Sequence, residues 1–348
     1  MVTIIGGGIA GSALAGALAR GGTEVALFEE REAGPGGGAF LFIDDRGHHA
    51  LASLGVDQAA VEAGSYAVTG GLGYANNLGR GGRVNSRGHR FWMRRNLMGI
   101  LNDFVAESGA KTTYGEPITG VTVDDGGCTL HQGDSTARVE DLLVGADGID
   151  SVVREGLEPE RRPVYAGDVV LYGMTGGPVT LPSDPATLHF FAEIDSDGTS
   201  LSTLGHIWRP GDDAALWFVR IPRPPLEADS EDLGLRPIDE WAAAIRAATP
   251  SNRPLIDTFL ETTEAVHVSN ARNVPLEGAA EPGDSVLLVG DADHAITPAA
   301  GVGARDALED VHAVYEALIS GVSPGDAMAR RRRKINADRE LVRSRNAR

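Results

Sequence analysis

The chain has 348 residues, of which 49 are acidic and 31 basic, so its formal net charge is −18. A chain of this length can bury a large core and exceeds the usual size of one domain, so we expect one large domain and a smaller one. The negative charge would repel nucleic acid and anionic membranes, and neither is expected as a partner. A single cysteine, Cys128, excludes an intrachain disulfide. Clustering among the 46 glycines favours a backbone that approaches a ligand closely.

Two further patterns bear on where the chain acts. The N-terminus lacks the basic segment of a signal peptide, and no uncharged apolar run approaches the length of about 18 residues that suits a membrane-spanning helix. We therefore expect a cytoplasmic protein. The basic run at residues 330–334 is followed by acidic residues in a helical pattern, so we interpret it as a solvated helix face. The sequence does not indicate an oligomeric state.

The start of the chain predicts a strand, a helix and a second strand. Residues 2–5 and 25–28 are short apolar runs, and residues 10–18 carry apolar side chains at helical spacing. Later segments predict a helix at residues 97–105 and strands at residues 118–123, 128–131 and 142–144. A β-rich region follows at residues 160–225, then a strand at residues 286–289 and a helix at residues 304–318. The β-rich region, with its Pro- and Asp-rich turns, predicts an antiparallel sheet inserted into the first domain.

The turn after the first predicted strand has the pattern G-x-G-x-x-G. Gly6 permits a tight turn, Gly8 lets the backbone approach a pyrophosphate, and Gly11 lets the helix pack close to the strand. The free N–H groups at the start of the helix favour an anion. Glu29 ends the second strand, close to where an acidic side chain binds ribose hydroxyls. This unit therefore predicts a nucleotide site, without distinguishing NAD from FAD.

Two later motifs bear on the cofactor. Residues 145–148 read Gly-Ala-Asp-Gly after one predicted strand, and residues 290–294 read Gly-Asp-Ala-Asp-His after another. A carboxylate at the C-terminal end of a parallel strand lies where α/β sheets bind ligands, and it can accept hydrogen bonds from ribose or ribityl hydroxyls. Residues 298–303 lack large side chains, so a flat ring could lie against their backbone. The positive end of the following helix would stabilise negative charge on that ring.

With these three motifs in order, nearly all of the chain resembles the single-component flavin monooxygenases of the para-hydroxybenzoate hydroxylase type. Arg94, at the start of a predicted helix, matches the arginine that reaches the FAD pyrophosphate in that family. The resemblance implies an α/β fold in which a Rossmann-like, GR2-type FAD-binding domain carries an inserted antiparallel β-sheet substrate domain. The implied boundaries are residues 1–67, 91–158 and 268–348 for the FAD-binding domain, and residues 68–90 and 159–267 for the substrate domain.

The resemblance also implies which residues bind FAD. They are mostly glycines, acids and small residues of the motifs: Gly6, Gly8, Ala10, Gly11, Ser12, Glu29, Arg94, Val121, Asp147, Gly148, Gly290, Asp291, Pro298, Gly301, Val302 and Gly303. Pro298 and His294 would lie near the flavin ring, but no certain catalytic residue is implied because the flavin carries the chemistry. Asp293 stands where the family usually has alanine, and Asp150 where a basic residue is more usual. Acids beside the flavin loop could alter the flavin's potential.

In this family NAD(P)H binds only transiently to reduce the flavin, in agreement with the lack of a second strand-supported G-x-G-x-x-G. The reduced flavin then reacts with O₂ to form a C4a-hydroperoxide, which hydroxylates or epoxidises a small organic molecule. The resemblance implies an aromatic or polycyclic substrate. No spaced histidine or cysteine ligands indicate a metal. For substrate contacts we single out polar and aromatic residues of the inserted sheet: Tyr172, His189, His206, Trp217 and Arg220.

Two alternative functions stay open at this stage. A flavin-dependent reductase would share the N-terminal fold, and so would a protein that retains FAD structurally while shaping a substrate for a non-redox cyclisation. A flavin halogenase is disfavoured because the W-x-W-x-I-P stretch is missing and the tryptophans are isolated from one another: Trp92, Trp208, Trp217 and Trp241.

Overall fold

The computed structural model describes residues 1–34, 39–124, 127–227, 232–297 and 301–346. The strands, in chain order, are β1 (Val2–Ile5), β2 (Val25–Glu29), β3 (Phe40–Ile43), β4 (Ser65–Ala67), β5 (Leu72–Asn76), β6 (Gly81–Val84), β7 (Arg90–Met93), β8 (Lys111–Tyr114), β9 (Gly120–Asp124), β10 (Gly127–Gln132), β11 (Ser135–Val139), β12 (Leu142–Gly145), β13 (Val164–Met174), β14 (Leu188–Ile194), β15 (Ser200–Ile207), β16 (Leu216–Pro222), β17 (Asp232–Pro237), β18 (Ala265–Asn273) and β19 (Val286–Leu288). The α-helices are α1 (Ile9–Arg20), α2 (Asp45–Ser53), α3 (Gln58–Ala63), α4 (Arg94–Ala106), α5 (Val152–Leu157), α6 (Ile238–Ala248), α7 (Arg253–Thr262), α8 (Asp291–His294), α9 (Gly303–Ile319) and α10 (Pro324–Asn346).

A five-stranded parallel sheet forms the centre of the nucleotide-binding region. Its strand order is β19-β12-β1-β2-β8, and every neighbouring pair is parallel. Helix α1 packs against α4 and α9, and its Leu14 and Leu18 are fully buried. Gly16 permits this packing, because a Cβ atom there would lie 2.3 Å from a ring carbon of Phe104 in α4. The strand–helix–strand unit predicted at the start of the chain is confirmed.

A second sheet of eight strands has the order β17-β18-β13-β16-β15-β14-β5-β6. Its pairs are antiparallel except for β14 with β5, so the predicted antiparallel sheet is confirmed in its main part. Helices α6 and α7 cover one face of this sheet, where Trp217 and Phe259 are fully buried in a common core. The predicted domain boundaries stay a prediction.

Two smaller three-stranded sheets complete the layers, with orders β11-β10-β9 and β3-β7-β4. The second of these lies between the two large sheets, because Phe40 of β3 packs against Tyr172 and Phe218 of the eight-stranded sheet. At the end of β18 the chain also passes from the eight-stranded sheet to the nucleotide-binding region. There the N–H of Val274 donates to the carbonyl of Ala295.

The terminal helix α10 corrects one sequence-based expectation. The side chain of Arg331 is 8% exposed and that of Arg332 is 12% exposed, so these two members of the basic run do not form a solvated face. Arg331 pairs with Asp310 and Arg332 with Asp293, both of them buried carboxylates. Helical periodicity could not predict these pairs, since the acidic partners come from segments that meet α10 only in the folded chain.

Among the helices of the described residues, we find none with both the length and the apolar character needed to cross a membrane.

Candidate active site

The glycine turn between β1 and α1 is fixed by close backbone contacts. A Cβ atom at Gly11 would lie 1.8 Å from the Gly6 carbonyl oxygen, and one at Gly6 would lie 2.4 Å from the Ala146 carbonyl oxygen. Gly6 also has a φ of +99°, a conformation that favours glycine. The Cβ position of Gly8 instead has no atom within 4 Å. The turn therefore leaves room for a ligand at the N-terminal end of α1, where unpaired N–H groups favour a phosphate.

Glu29 lies at the end of β2, beside this turn. Its Oε2 accepts a hydrogen bond of 2.6 Å from the N–H of Gly7, and its Oε1 accepts one of 2.9 Å from the N–H of Arg31. These two bonds fix the orientation of the carboxylate in the cleft and leave lone pairs on both oxygens. The carboxylate can therefore accept hydrogen bonds from ribose hydroxyls.

Asp147 follows β12 and has one oxygen without a partner. Its Oδ2 accepts a hydrogen bond of 3.2 Å from the N–H of Val153, while its Oδ1 is buried and has no hydrogen-bond partner among the described residues. Burial raises the pKa of Asp147. Buried acceptors in folded proteins are nearly always satisfied, so this oxygen indicates a donor group that a ligand would supply.

A cleft with an empty volume of about 1050 Å³ joins these features. The predicted residues that line it are Gly6, Gly8, Glu29, Arg94, Asp147 and Gly148. Arg94 stands at the start of α4 and lines the cleft. Its backbone N–H donates a hydrogen bond of 3.0 Å to the carbonyl of Ala39. The structure thus places residues of the first two motifs and Arg94 around one space.

Other predicted cofactor residues lie behind or beside the cleft. Ala10 and Ser12 are buried in α1, and the hydroxyl of Ser12 donates to the carbonyl of Gly7 at 2.8 Å. The carbonyl of Val121 lies 2.1 Å from the position of a Cβ atom at Gly156, so α5 packs on it. Pro298 is outside the described residues.

A buried carboxylate holds the segment from Gly290 to His294 in place. Asp310 of α9 accepts hydrogen bonds on Oδ2 from the N–H of Gly290, at 3.1 Å, and from Nε2 of His294, at 2.5 Å. Its Oδ1 accepts a bond of 2.8 Å from Arg331. Burial alone would lower the pKa of His294, but the charge of Asp310 and this hydrogen bond outweigh it and raise the pKa to about 9.

Asp291 stands at the start of α8, next to this buried network. Its residue surface is exposed, unlike those of Ala292, Asp293 and His294, but protein atoms surround the carboxyl group, and this desolvation raises its pKa. The N-terminal end of α9 is close by, because a Cβ atom at Gly303 would lie 3.8 Å from Oδ1 of Asp291. Val302 caps that end of α9, and Gly301 before it has a φ of +64°. The strand-end carboxylate is thus available to a ligand.

The two acids that depart from the family pattern are both paired with arginines. Asp293 is fully buried and pairs with Arg161 at 3.0 Å and with Arg332 at 2.6 Å. Asp150 lines the cleft, where the hydrogen bonds and charge of Arg272 lower its pKa. Each of these acids thus has a cationic partner that compensates its negative charge.

Three of the five predicted substrate residues lie on the helix-covered face of the eight-stranded sheet. Trp217 is fully buried, and its Nε1 donates to Thr263 at 3.1 Å. His206 stacks on His189 with ring centroids 4.8 Å apart, and it contacts Phe259 of α7. Burial lowers the pKa of His206 to about 3, so this imidazole is neutral. Trp217 and His206 are thus buried between the sheet and its covering helices.

The opposite face of the sheet, here called the aromatic face, carries Tyr172, Phe190 and Phe218. Phe218 pairs with Tyr172 across the strands, and Phe40 packs on both rings from β3. Sequence reasoning missed the three phenylalanines. Strand alternation could have found Phe218, because it is one residue from Trp217 and therefore faces the other way.

Arg220, the fifth predicted substrate residue, also lies on the aromatic face. It is two residues from Phe218 along β16, and its Nε lies 2.8 Å from Oδ2 of Asp168 in β13. The side chain of Asp168 is 5% exposed and that of Arg220 is 26% exposed. The cation is thus neutralised within the sheet.

Comparison with known proteins identifies the family to which the chain belongs. Residues 1–347 match the family described as the FAD binding domain. A kynurenine 3-monooxygenase from Salinispora arenicola is 27% identical, over 94% of this chain and 74% of that protein. A 3-amino-4-hydroxybenzoate 2-monooxygenase from Streptomyces platensis is also 27% identical, over 94% of this chain and 82% of that protein.

Solved structures show the same fold. The 2,6-dihydroxypyridine-3-hydroxylase from Arthrobacter nicotinovorans has a TM-score of 0.73 and 19% identity, and the match covers 95% of this chain and 86% of that one. These matches confirm the predicted Rossmann-like fold with its second sheet, the FAD cofactor and the assignment to the oxidoreductases. The chain belongs to the FAD binding domain family, among the FAD-dependent monooxygenases.

Proposed function

We propose that this enzyme hydroxylates or epoxidises an uncharged aromatic or polycyclic small molecule, with NAD(P)H and O₂ as co-substrates. The observation that carries the proposal is the aromatic face, an apolar surface joined through β3 to the cleft that holds the cofactor motifs. Phe40 of β3 contacts that face, and the neighbouring Ala39 binds the backbone of Arg94 in the cleft. An apolar substrate surface beside a redox cofactor suits oxygen transfer to a carbon-rich molecule.

The residues of the cleft fit FAD. The open side of Gly8 and the N-terminal end of α1 suit the pyrophosphate, with Arg94 as its cation. Glu29 would accept hydrogen bonds from the adenosine ribose. The unpaired Oδ1 of Asp147 and the carboxylate of Asp291 would accept them from the rest of the cofactor. When bound, FAD supplies the redox chemistry that connects NAD(P)H to O₂.

The protein's own contribution near Asp291 is electrostatic. Helix α9 begins at Gly303 beside Asp291 and runs for 17 residues. The N-terminal end of such a helix carries a partial positive charge, which stabilises nearby negative charge. We assign to α9 the stabilisation of negative charge beside Asp291, and to Asp310 the orientation of Gly290 and His294.

The aromatic face argues for a substrate without a carboxylate. Its rings offer apolar contact and edge-to-face stacking, which suit a flat hydrocarbon-rich molecule. Arg220, a cation of this face, is paired with the buried Asp168. An anionic substrate would have to compete with that carboxylate for the guanidinium. The relative named for 3-amino-4-hydroxybenzoate acts on an aromatic carboxylate, so substrate charge is where we expect this enzyme to differ.

The test is oxygen transfer from labelled O₂. Uncharged aromatics such as naphthols and quinolones would first be screened for stimulation of NAD(P)H oxidation by the purified enzyme. The best of them would then be turned over under ¹⁸O₂, and we expect one labelled oxygen in each product molecule. Asp291→Ala serves as the control, since it should lose FAD and with it the reaction.

Two outcomes would replace the proposal. Consumption of NAD(P)H with a reduced, unlabelled product would identify a reductase. Turnover without oxygen or NAD(P)H would identify a cyclase in which the flavin is structural.

A further inference from the structure

Asp293 is a buried carboxylate that connects three separate parts of the chain. Its side chain is 0% exposed. Its Oδ1 accepts hydrogen bonds from Arg161 at 3.0 Å and from Arg332 at 2.6 Å, and its Oδ2 accepts a second bond from Arg332 at 2.8 Å. Arg161 lies between α5 and β13, and Arg332 lies in α10. The carboxylate therefore joins the terminal helix to the segment that follows β19.

Further bonds attach α10 to the same segment. The guanidinium of Arg339 donates to the carbonyl of His294 at 2.7 Å. Arg331 reaches Gly290 indirectly, because it binds Asp310, which in turn binds the N–H of Gly290. Residues spread over two turns of α10 thus hold both ends of the segment 290–294, which contains the exposed Asp291.

The contacts of Asp293 differ in kind from surface ion pairs. A buried charge that loses its partner is strongly unfavourable, whereas an exposed pair contributes little. The neighbouring Arg333 offers the comparison, since it is exposed on the same helix one residue away. Removing the charge of Arg332 should loosen α10 from the segment, and removing that of Arg333 should not.

We propose that Asp293 is a positioning residue through which Arg332 couples the docking of α10 to the FAD-binding segment. Asp293 is fully buried, and its arginine partners fix the backbone that follows Asp291. Coupling of this kind is reciprocal, so docked α10 raises the affinity for FAD and bound FAD holds α10 more firmly. The inference relies on the proposed role of Asp291 and on no particular substrate or reaction.

The first experiment needs no variant. Hydrogen exchange of the full-length chain would be compared without FAD and with saturating FAD. We expect FAD to slow exchange in residues 331–339 of α10 as well as in the glycine turn. The same comparison with Arg332→Gln should keep the protection of the glycine turn and lose that of α10.

The second experiment measures the dissociation constant of FAD by titration. Arg332→Gln should raise it by about ten-fold, within the usual range of coupling between sites. Arg332→Lys should give an intermediate value because it keeps the charge, and the matched control Arg333→Gln should stay near the wild-type value.

Two results would overturn the proposal. One is an FAD affinity that is equal in Arg332→Gln and Arg333→Gln. The other is wild-type exchange in which FAD protects the glycine turn and leaves α10 unchanged. Neither result depends on turnover, so a failure of the monooxygenase proposal would show separately as unlabelled product.

Discussion

The pair formed by His294 and Asp310 predicts how stability depends on pH. The pKa of His294 is raised from 6.5 to about 9 in the folded protein. Below pH 6.5 the imidazole is protonated in both the folded and the unfolded chain, and the pair contributes its full stabilisation. Between pH 6.5 and 9 only the folded chain holds the proton, so stability falls as the pH rises. Above pH 9 this contribution is lost.

The size of the effect follows from the width of that window. A rise from 6.5 to about 9 corresponds to about 3 kcal/mol of unfolding free energy, at 1.36 kcal/mol for each pKa unit. His206 acts in the opposite range, since burial lowers its pKa to about 3. The contribution of His206 to the unfolding free energy is present above pH 6.5 and falls as the pH drops from 6.5 towards 3. Taken alone, the contributions of these two histidines are both present near pH 6.5.

Urea unfolding of the FAD-free chain at pH 6.5 and pH 9.5 would measure the effect. We expect the wild type to lose about 3 kcal/mol more between these pH values than His294→Gln does. Other groups that titrate in this range are the same in both proteins and cancel in the difference. His49→Gln, at an exposed position, is the control and should behave as the wild type. Equal slopes for wild type and His294→Gln would refute the assignment of this proton to the buried pair.

Three substitutions test the site itself. Asp291→Ala should raise the dissociation constant of FAD about ten- to a hundred-fold, because a charge-assisted hydrogen bond is lost, as measured by titration of the FAD-free chain. Gly11→Ala should prevent FAD retention and lower the melting temperature, because its Cβ atom would lie 1.8 Å from the Gly6 carbonyl oxygen. Asp168→Asn should free Arg220 and raise the affinity for 2-naphthoate relative to 2-naphthol by about ten-fold, as read from flavin absorbance.

Each of these has a contrary outcome. Normal FAD affinity in Asp291→Ala would remove the strand-end carboxylate from the site. A stable, FAD-loaded Gly11→Ala would mean that the turn is less tightly packed than the structure shows. If Asp168→Asn left the preference between 2-naphthol and 2-naphthoate unchanged, the aromatic face would not be the substrate surface.

The nucleotide-binding half could be predicted from sequence because its signals are local. Gly11 is required by its contact with Gly6 within one turn, and the strands around this turn are short apolar runs. Asp147 and Asp291 could be placed for the same reason, since each lies two or three residues after the end of a parallel strand. These features depend on neighbours in the sequence.

The second half depends on neighbours in space, which a sequence pattern does not show. Polar and aromatic character suggested Trp217 and His206 as substrate contacts, but alternation alone does not say which face of a sheet a helix covers. In the same way, Arg331 and Arg332 are typical of an exposed helix until Asp310 and Asp293 are brought against them.

The order of strands has a consequence for how the chain folds. In the parallel sheet Val2 pairs with Leu142, and Leu143 pairs with Val286. In the eight-stranded sheet Leu72 pairs with Leu188. Pairing over such separations is slow because loop closure precedes the contacts that stabilise it. We therefore expect refolding in vitro to be slow and cooperative across both sheets. During synthesis, the parallel sheet has to wait for its edge strand β19 until nearly the whole chain has left the ribosome.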